Sequence, residues 1–539
     1  MSSTASLKSL NINNINPHVK EAKYAVRGEL ATRSEAYRAK LAKGYSPSPP
    51  DEPLPFDKVI SANIGNPQQL DQKPITFFRQ VLSLLEYPQL LENERALKDI
   101  FGYKQDVIDR ARWLLNDVHS VGAYSQSQGA SGIRNSVAQF IERRDGYPAD
   151  PAQIFLSAGA SSGVNTLMHI ICAKPETGIL VPIPQYPLYT ATLSLLNARC
   201  VPYYLDENKA WGTDMGAIRE AMKKAKSEGT DVRAIVMINP GNPTGASLSP
   251  EDVRSILEFA AEEKLVVVAD EVYQTNVFKG KFNSFKKGLR DLQKEAPKKF
   301  DNIELASLHS ISKGMVGECG HRGGYFELVG FDPEVAAQVY KFVSISLCAP
   351  VIGQCLVEMM VNPPKEGEPS YALYRKEYDE IFQGLQERAS ALFKAFKQME
   401  GVDLPEPQVG CFIPSITVAE LTPPRAPCIS FPPSPSPKRP SSKPRKKAGN
   451  PTSSTVSAYS TPRVSASFPD PGSGRNQGHC ISGRHFWRQE RSGRGGSQSS
   501  TRNLWMSLGI EGKSSWGVYI GTMGKSSSVG QPFRMVYIY

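Results

Sequence analysis

RAIVMINPGNPTGASLSPEDVRSILEFAAEEKLVVVADEVY, residues 233–273, combines strand-like and helical patterns in one unit. Its two β-rich runs, RAIVMINP (233–240) and LVVVADEVY (265–273), flank EDVRSILEFAAEE (251–263), which has the spacing of an amphipathic helix. Both runs are apolar at successive positions, which is typical of strands buried on both faces of a parallel sheet. Strand, helix and strand in this order predict an α/β fold.

The same alternation extends in both directions from this unit. Strand-like runs are each followed by a helical segment or a Gly-rich turn: QIFLSAG (153–159) before VNTLMHIICA (164–173), GILVPIP (178–184) before LYTATLSLL (188–196), and NIELASLHSIS (302–312). We therefore predict a large domain over residues 121–350, with a mainly parallel sheet flanked by helices.

A smaller α/β domain is predicted from the segments on either side. Apolar spacing of three and four predicts helices over about 75–118, residues 334–400 are predicted to be helical, and GCFIPSITV (410–418) is predicted to be a strand. An N-terminal arm and linker, with a helix near Glu21–Ala42, is predicted at 1–50. The first part of the small domain is predicted at 51–120 and its incomplete second part at 351–420. A low-complexity basic tail is predicted at 421–539.

The net charge of +10 comes from the tail. Residues 421–539 hold 17 of the 63 Lys and Arg but 3 of the 53 Asp and Glu, so residues 1–420 are mildly acidic, with 46 basic and 50 acidic residues. The body therefore gives no reason to expect a nucleic-acid partner. A run of eighteen apolar residues is absent, so no membrane span is expected either.

The eight cysteines are scattered without paired spacing, which predicts free thiols, a reducing compartment and no metal site. The first twenty residues lack the apolar centre of a secretory signal, and Lys8 and Lys20 are their only Lys, Arg, Asp or Glu. We expect a cytoplasmic protein, with a mitochondrial location left open.

SLHSISKGMVGECGHRGGY (307–325) carries the candidate catalytic lysine. Lys313 follows a predicted strand, sits among small residues and precedes Arg322 in a Gly-rich run. Most lysines are solvated surface charges. A lysine that forms a Schiff base with a carbonyl cofactor, however, needs a desolvated setting with cations nearby. Ser310, Ser312 and Arg322 are suited to a phosphate, which arginine binds through paired hydrogen bonds.

Two further segments end predicted strands, where open α/β sheets bind their ligands. FLSAGASSGV (155–164) opens a helix whose free N–H groups form an anion site, although a Gly/Ser turn has the same appearance. Asp270 ends an apolar strand, where a pyridinium N–H would pair its carboxylate and keep the ring an electron sink. A helix N-cap is the alternative for Asp270. Tyr273 is suited to a hydrogen bond with a ring hydroxyl.

Two turns complete the set. INPGNPTG (238–245) ends another strand and supplies Asn242, which is suited to donate to a ring oxygen and to a substrate carboxylate; the alternative is a simple turn. VPIPQYPLY (181–189) supplies Tyr186, either for stacking on a ring or as a core or interface tyrosine.

Together these motifs resemble the fold-type I pyridoxal-phosphate (PLP) aminotransferases. HSISKGMVGECGHRGGY (309–325), NPGNPTG (239–245) and GAYSQSQGASGIR (122–134) resemble the alanine aminotransferase branch, and the resemblance runs from about residue 20 to about residue 418. It implies a PLP-dependent L-alanine:2-oxoglutarate aminotransferase that works in a ping-pong cycle on amino acids and 2-oxo acids. It also implies a homodimer.

The resemblance assigns a role to each matching position. Lys313 is the Schiff-base lysine and the general base, Asp270 pairs the pyridine nitrogen, and Tyr186 stacks on the ring. The remaining roles are contacts to the ring oxygen (Tyr273, Asn242), to the substrate carboxylate (Gly65, Asn242), to the phosphate (Ala160, Ser161, Ser310, Arg322), and to the phosphate from the partner subunit (Tyr124).

The tail departs from the resemblance, and a displaced reading frame accounts for it. If codons are read one base out of register, three segments can encode strings that resemble the missing half of the family's small domain. These are DEFYCLRLLDATGVCVVPGSGFGQ from Pro451–Arg475, ALHFRTTFLAPG from Gly478–Glu490 and FHKEFMDEF from Ser499–Leu508.

We therefore predict that residues from about 421 come from a frameshift or a mis-predicted splice site. The arginine of HFRTTF, which falls across Ser482 and Gly483, is then absent from the chain, and with it the resemblance's clamp for the substrate carboxylate. The alternative is a genuine basic, disordered tail.

Two other functions stay open at this point. A PLP-dependent lyase of the same fold, similar to aminocyclopropane-carboxylate synthases, would share Lys313, Asp270 and Asn242, although GECGHRGGY (317–325) disfavours it. An inactive, truncated pseudoenzyme is the second.

Overall fold

A seven-stranded sheet forms the centre of the protein, whose computed structural model describes residues 9–24, 29–42, 56, 58–59, 65–398 and 402–409 and the strands 417–418, 504–509 and 515–520. The strand order is β1-β7-β6-β5-β4-β2-β3. The strands are β1 Ile154–Ser157, β2 Thr177–Ile183, β3 Arg199–Tyr204, β4 Asp231–Ile238, β5 Val266–Asp270, β6 Leu305–Ser310 and β7 Gly324–Val329.

Helices precede, connect and follow these strands. The α-helices are α1 Pro17–Glu21, α2 Glu29–Ala42, α3 Thr76–Glu86, α4 Glu94–Asp99, α5 Gln105–Val118, α6 Ser131–Asp145, α7 Ala160–Ile171, α8 Leu188–Leu195, α9 Met215–Ser227, α10 Pro250–Glu263, α11 Phe285–Glu295, α12 Pro297–Phe300, α13 Pro333–Ser344, α14 Val351–Val361 and α15 Tyr371–Lys397. Short 3-10 helices span Pro67–Leu70, Pro88–Asn93, Pro151–Gln153, Glu207–Lys209 and Cys319–His321.

The unit that was quoted first forms as predicted, for local reasons. Ser249 caps α10 by accepting from the N–H of Asp252, the Asp252 carboxylate accepts from the N–H of Ser249, and Pro250 occupies the first turn. This reciprocal pairing satisfies two N–H groups that a helix start otherwise leaves without partners. α10 then returns the chain so that β5 pairs with β4 in parallel.

Both faces of the sheet are covered, which explains the continuous apolar runs of its strands. In β5, Val267 and Ala269 pack into one cluster with α9, α10 and α11, whereas Val268 packs into a second with α7 and α8. Successive side chains of a strand point to opposite faces, so each run buries both sets. The core therefore has two layers of helices around one sheet.

A third cluster joins the N-terminal helices to the edge of the sheet. Buried side chains of α3, α5, α6 and α14 pack with Ile154, Leu156 and Tyr325 from β1 and β7. The boundaries between the large and small domains stay a prediction.

The sheet is mainly parallel, and this confirms the predicted fold class. β2 pairs in parallel with β3 and β4, and β4, β5 and β6 continue in parallel. β7 is antiparallel to both β6 and β1. β1, β2, β4, β5 and β6 therefore all end at one edge of the sheet, where β7 begins.

Two strands of this sheet were not predicted. β3 and β7 fall in RCVPYY (199–204) and GYFELV (324–329), and only Gly324 and Tyr325 of β7 belong to the Gly-rich run that follows Lys313. The strand predicted at 410–418 is described only as β9 Thr417–Val418, which pairs with β8 Val402–Asp403. Two further strands, β10 Leu504–Gly509 and β11 Ser515–Ile520, form an antiparallel pair that the composition of the tail did not indicate.

The remaining expectations concern the cysteines, membrane-spanning helices and the C-terminal tail. Cys172, Cys200, Cys319, Cys348 and Cys355 are free thiols, and Cys411, Cys428 and Cys480 lie outside the described residues. Among the helices described, none combines the length and apolar character that a bilayer crossing requires. The rest of residues 421–539 lies outside the described residues, so the frameshift prediction is not tested there.

Candidate active site

The candidate residues gather at the edge of the sheet where most strands end. β5 ends at Asp270, β6 ends at Ser310, and the loop after β6 carries Lys313. α7 begins three residues after β1, and Tyr186 and Asn242 follow β2 and β4 within four residues. The parallel topology thus brings together segments that are far apart in sequence, as in other open α/β sheets.

Lys313 is half-buried, and its amine points toward the backbone of Gly65. Its Nζ donates to the backbone oxygen of Gly65 at 3.2 Å and lies 5.8 Å from the centre of the Tyr273 ring. Its charge also acts on Asp270, since it opposes the rise in the pKa of that carboxyl. The structure therefore places Lys313, Gly65, Tyr273 and Asp270 in one site.

Asp270 is a buried carboxylate with one satisfied oxygen. The side chain is 6% exposed, and its Oδ2 accepts from the hydroxyl of Tyr189 at 2.7 Å. Among the described residues, Oδ1 is buried without a hydrogen-bond partner. Burial raises the pKa of Asp270, and the Tyr189 hydrogen bond, the backbone N–H of Val272 and the charge of Lys313 oppose that rise. Because an unpaired buried oxygen is costly, Oδ1 is suited to a donor from a ligand.

Arg322 and the start of α7 form a second polar group. Arg322 Nη2 donates to the Ala158 oxygen at 2.9 Å and to Ser161 Oγ at 3.4 Å, and Nη1 donates to the Cys319 oxygen at 2.7 Å. Ala160 and Ser161 are the first two residues of α7, whose N-terminal N–H groups point out of the helix. A guanidinium beside a helix N-terminus is suited to a phosphate dianion.

Gly159 makes this approach possible. Its φ is +86°, a region that favours glycine. A Cβ at this position would lie 2.6 Å from Arg322 Nη2, so any larger residue would displace the guanidinium. Ser310 is buried beneath this group, where its hydroxyl donates to the Gly323 oxygen at 3.1 Å and accepts from the Ser312 N–H at 3.1 Å. Ser310 thus holds the loop that carries both Ser312 and Arg322.

Two hydrogen-bonded pairs complete the site. The amide nitrogen of Asn242 donates to the hydroxyl of Tyr273 at 3.4 Å, so both reach one point. The hydroxyls of Tyr186 and Tyr24 are 2.7 Å apart. Tyr124 is not among the residues brought together, because it is 77% exposed on the loop between α5 and α6.

These residues fit PLP. The unpartnered Oδ1 of Asp270 matches a pyridinium N–H, the paired Asn242 and Tyr273 match a ring oxygen, and Arg322 matches a phosphate. A half-buried amine at Lys313 matches the aldehyde. The set contains a donor or acceptor for each polar group of the cofactor.

Sequence reasoning missed one contact of this site. The motif VPIPQYPLY (181–189) assigns a role to Tyr186 but none to Tyr189, which is the second residue of α8. Tyr186 precedes α8, so helical spacing does not relate the two side chains, and no local pattern signals the contact of Tyr189 with Asp270. Its hydroxyl is the described partner of Asp270 Oδ2.

Comparison with known proteins defines the class. The model of the family "Aminotransferase class I and II" matches residues 92–422, and the chain belongs to this family. Class I and II aminotransferases are PLP-dependent enzymes that act on amino acids and 2-oxo acids, and a carboxylate paired with a pyridinium is the chemistry that such enzymes need.

Two curated relatives lie close to this chain. The Saccharomyces cerevisiae protein "Alanine aminotransferase, mitochondrial" is 53% identical over 408 residues, which are 75% of this chain and 68% of that protein. "Inactive alanine aminotransferase" from the same yeast is 48% identical over 405 residues, 74% of this chain and 78% of that protein.

A solved structure, "Alanine aminotransferase from Pyrococcus furiosus", is similar in fold. It has a TM-score of 0.55 at 21% identity and covers 74% of this chain and 82% of its own. At that identity the likeness concerns the fold.

Proposed function

We propose that this chain is an L-alanine:2-oxoglutarate aminotransferase. The observation that carries the proposal is the buried Oδ1 of Asp270, which has no hydrogen-bond partner among the described residues and lies in the site that also holds Lys313. The "Alanine aminotransferase" relative, at 53% identity, supports alanine as the amino donor.

PLP, when bound, supplies an aldehyde that condenses with amino groups and a ring that accepts electrons. The residues of the chain have separate tasks around it. We propose that Asp270 keeps the ring nitrogen protonated and that Tyr186 packs on the ring face. Arg322 and the start of α7 at Ala160 and Ser161 would hold the phosphate, whereas Ser310, whose hydroxyl donates to the Gly323 oxygen, would act on the phosphate only by holding the loop that carries Arg322.

Proton transfer is the task of Lys313 in this proposal. Its Nζ would take the proton from the α-carbon of the amino acid as general base and, as general acid, return it to the carbon of the cofactor's former aldehyde group. The hydrogen bond to the Gly65 oxygen places the amine beside the loop that we propose to cover the substrate carboxylate. Asn242 donates to the ring oxygen, where it meets Tyr273.

Replacing Lys313 tests this function. We expect Lys313→Ala to lower the rate of pyruvate formation from alanine and 2-oxoglutarate by at least about 10³-fold, because the general base is lost. The long-wavelength absorbance of lysine-bound PLP should disappear as well. Lys287→Ala is the matched control, since Lys287 is an exposed lysine paired with Asp291.

The dependence of the reaction on its substrates separates the aminotransferase from the alternative functions. Pyruvate formation that depends on 2-oxoglutarate supports the transaminase, whereas a lyase of this fold leaves no such dependence. Equal rates with glutamate and glyoxylate in place of the proposed pair would contradict the choice of alanine.

We further propose that the residues from about 421 derive from a displaced reading frame. The family match ends at residue 422, where the Pro/Ser/Arg-rich composition begins. Loss of a bidentate clamp for the substrate carboxylate weakens binding by a factor of ten or more, at about 1.5–3 kcal/mol per charged hydrogen bond. The chain as written should then transaminate more slowly than a chain with the frame restored, and the rates of the variants are therefore measured in the restored chain.

Sequencing the transcript across the codons for residues 415–430 tests the frame. A transcript that encodes the written tail without interruption would exclude the displaced frame. Alanine transamination by this chain, beside a chain with the frame restored, measures the consequence.

We propose a homodimer in the cytoplasm. Tyr124, which is exposed in the single chain, would reach the phosphate of the partner subunit.

Cell fractionation tests the cytoplasmic location. The yeast relative is named as mitochondrial, and recovery of this protein in the mitochondrial matrix would contradict the proposal.

A further inference from the structure

Tyr24 of the N-terminal arm reaches the candidate active site. Tyr24 lies three residues after α1, and its hydroxyl is 2.7 Å from that of Tyr186. The two rings also meet edge to face, with centres 6.4 Å apart and an interplanar angle of 78°. Edge-to-face packing and a hydrogen bond together restrict both torsions of the Tyr186 side chain.

The contact is supported by the packing of its flanking helices. α1 begins with Asn16 as its side-chain cap and Pro17 in its first turn, and it contacts α8, which begins two residues after Tyr186. A helix of five residues is not stable by itself in water. Its position on α8 therefore depends on contacts such as that of Tyr24.

Tyr186 faces the charged residues of the site. Burial, the Tyr24 hydrogen bond and the charge of Asp270 raise the pKa of its phenol, and the charge of Arg322 lowers it. The phenol is therefore neutral at physiological pH and can share a hydrogen bond with a second phenol. Its ring lies within electrostatic range of both Asp270 and Arg322.

We propose that Tyr24 is a positioning residue that holds the Tyr186 ring in the orientation in which it packs on the cofactor. The inference rests on the proposed function, because it assumes that Tyr186 packs on PLP. It gives the N-terminal arm a part in cofactor binding that its polar sequence did not indicate.

A double-mutant cycle on the two hydroxyls tests the inference. We expect Tyr24→Phe to raise the dissociation constant of PLP about fivefold, in keeping with the loss of one hydrogen bond. Tyr186→Phe should have a similar effect, and the double variant should be no weaker than either single variant, because all three lack the same bond. Fluorescence titration with PLP measures each constant.

A second measurement needs no cofactor. In the PLP-free protein, Tyr24→Phe should increase amide hydrogen exchange over residues 185–195, because the restraint on Tyr186 and α8 is weakened. Tyr37→Phe is the matched control, since Tyr37 lies on the same arm and its ring packs on Phe56.

The outcomes distinguish the two proposals. Unchanged exchange in Tyr24→Phe, or additive effects of the two substitutions on PLP affinity, would overturn the role of Tyr24. If the unaltered chain fails to bind PLP, the proposed function fails, and the exchange measurement alone decides whether Tyr24 restrains Tyr186.

Discussion

At the scale of single residues, Asp270 shows how burial prepares a carboxylate for one partner. Its Oδ2 is satisfied by Tyr189 and its Oδ1 is not satisfied by any described residue. A second internal donor would have stabilised the cofactor-free protein but would have competed with the pyridinium. Tyr189 therefore occupies Oδ2, and Oδ1 is left for the donor that we propose, the pyridinium N–H of the cofactor.

Removing the Tyr189 hydroxyl should affect the reaction through Asp270. We expect Tyr189→Phe to lower kcat about tenfold, since a hydrogen bond to a charged group contributes about 1.5–3 kcal/mol. The pKa of Asp270 should rise further, so the loss of activity on the acid side should move to higher pH. A pH profile of kcat checks both effects, and an unchanged profile would contradict this role for Tyr189.

Glu271, the next residue, is buried on a different network. Its carboxylate accepts from the Phe285 N–H at 2.9 Å and from the Ser307 hydroxyl at 2.7 Å, and it lies 3.8 Å from Arg144 Nη1. Burial raises the pKa of Glu271 to about 7, although Arg144 and these hydrogen bonds oppose the rise.

A raised carboxyl pKa makes the folded state hold its proton longer than the unfolded state does. The resulting stabilisation is complete below the ordinary pKa of 4.5 and is lost as the pH rises through about 7. We expect the free energy of unfolding to fall across this range by at most about 3 kcal/mol from this residue. Glu271→Gln should flatten the dependence, as measured by urea unfolding at several pH values; an equally steep dependence would contradict the assignment.

At the scale of elements, the Arg322 loop is held by the close approach of α14. A Cβ at Gly353 would lie 2.4 Å from the backbone oxygen of Arg322 and 2.8 Å from that of His321. Backbone atoms cannot give way as a flexible side chain can, so α14 or the loop would have to move. The helix thus fixes the backbone of the loop that carries the Arg322 guanidinium.

Gly353→Ala should therefore weaken both the fold and the phosphate site. Overpacking of this kind costs about 1–3 kcal/mol, which would lower Tm by several degrees. We also expect weaker binding of PLP, because Arg322 is displaced. Gly320→Ala is the control, since nothing lies within 4 Å of a Cβ at Gly320. Equal Tm values for the two variants would show that the loop adjusts without cost.

At the scale of the whole molecule, the charge and the chemistry lie in different parts of the chain. Residues 421–539 carry the excess of basic residues, whereas every residue proposed to contact the cofactor or the substrate lies between Gly65 and Arg322. The basic pI of about 9.0 is therefore no indication of an acidic substrate or a nucleic-acid partner.

The proposed dimer makes a prediction about mixed subunits. If Tyr124 completes the site of the partner subunit, Tyr124→Ala and Lys313→Ala should impair different halves of one site. Mixing the two variants under conditions of subunit exchange should restore activity, because one site in each mixed dimer then holds both Lys313 and Tyr124. A mixture no more active than its parts, or a monomer by light scattering, would contradict this arrangement.

How much of the site can be predicted depends on how far apart in the sequence the contacting residues lie. Lys313, Asp270, Asn242 and Arg322 could be chosen from the sequence because each follows or precedes a strand-like run or a Gly-rich turn. Their roles remain predictions, but their placement at one edge of the sheet follows from strand ends that local patterns mark. Tyr24 and Tyr189 could not be paired with Tyr186 and Asp270 in this way, since each contact joins segments more than 80 residues apart.

By itself, the sequence determined the α/β class, the units that alternate between strand and helix, and the ends of most strands, because apolar periodicity and capping residues act over a few neighbouring positions. The tertiary structure alone decided the antiparallel position of β7, the passage of α14 against Arg322, and the partners of Asp270 and Tyr186. These features depend on which surfaces pack together when the whole chain folds, and no short stretch of residues encodes that choice.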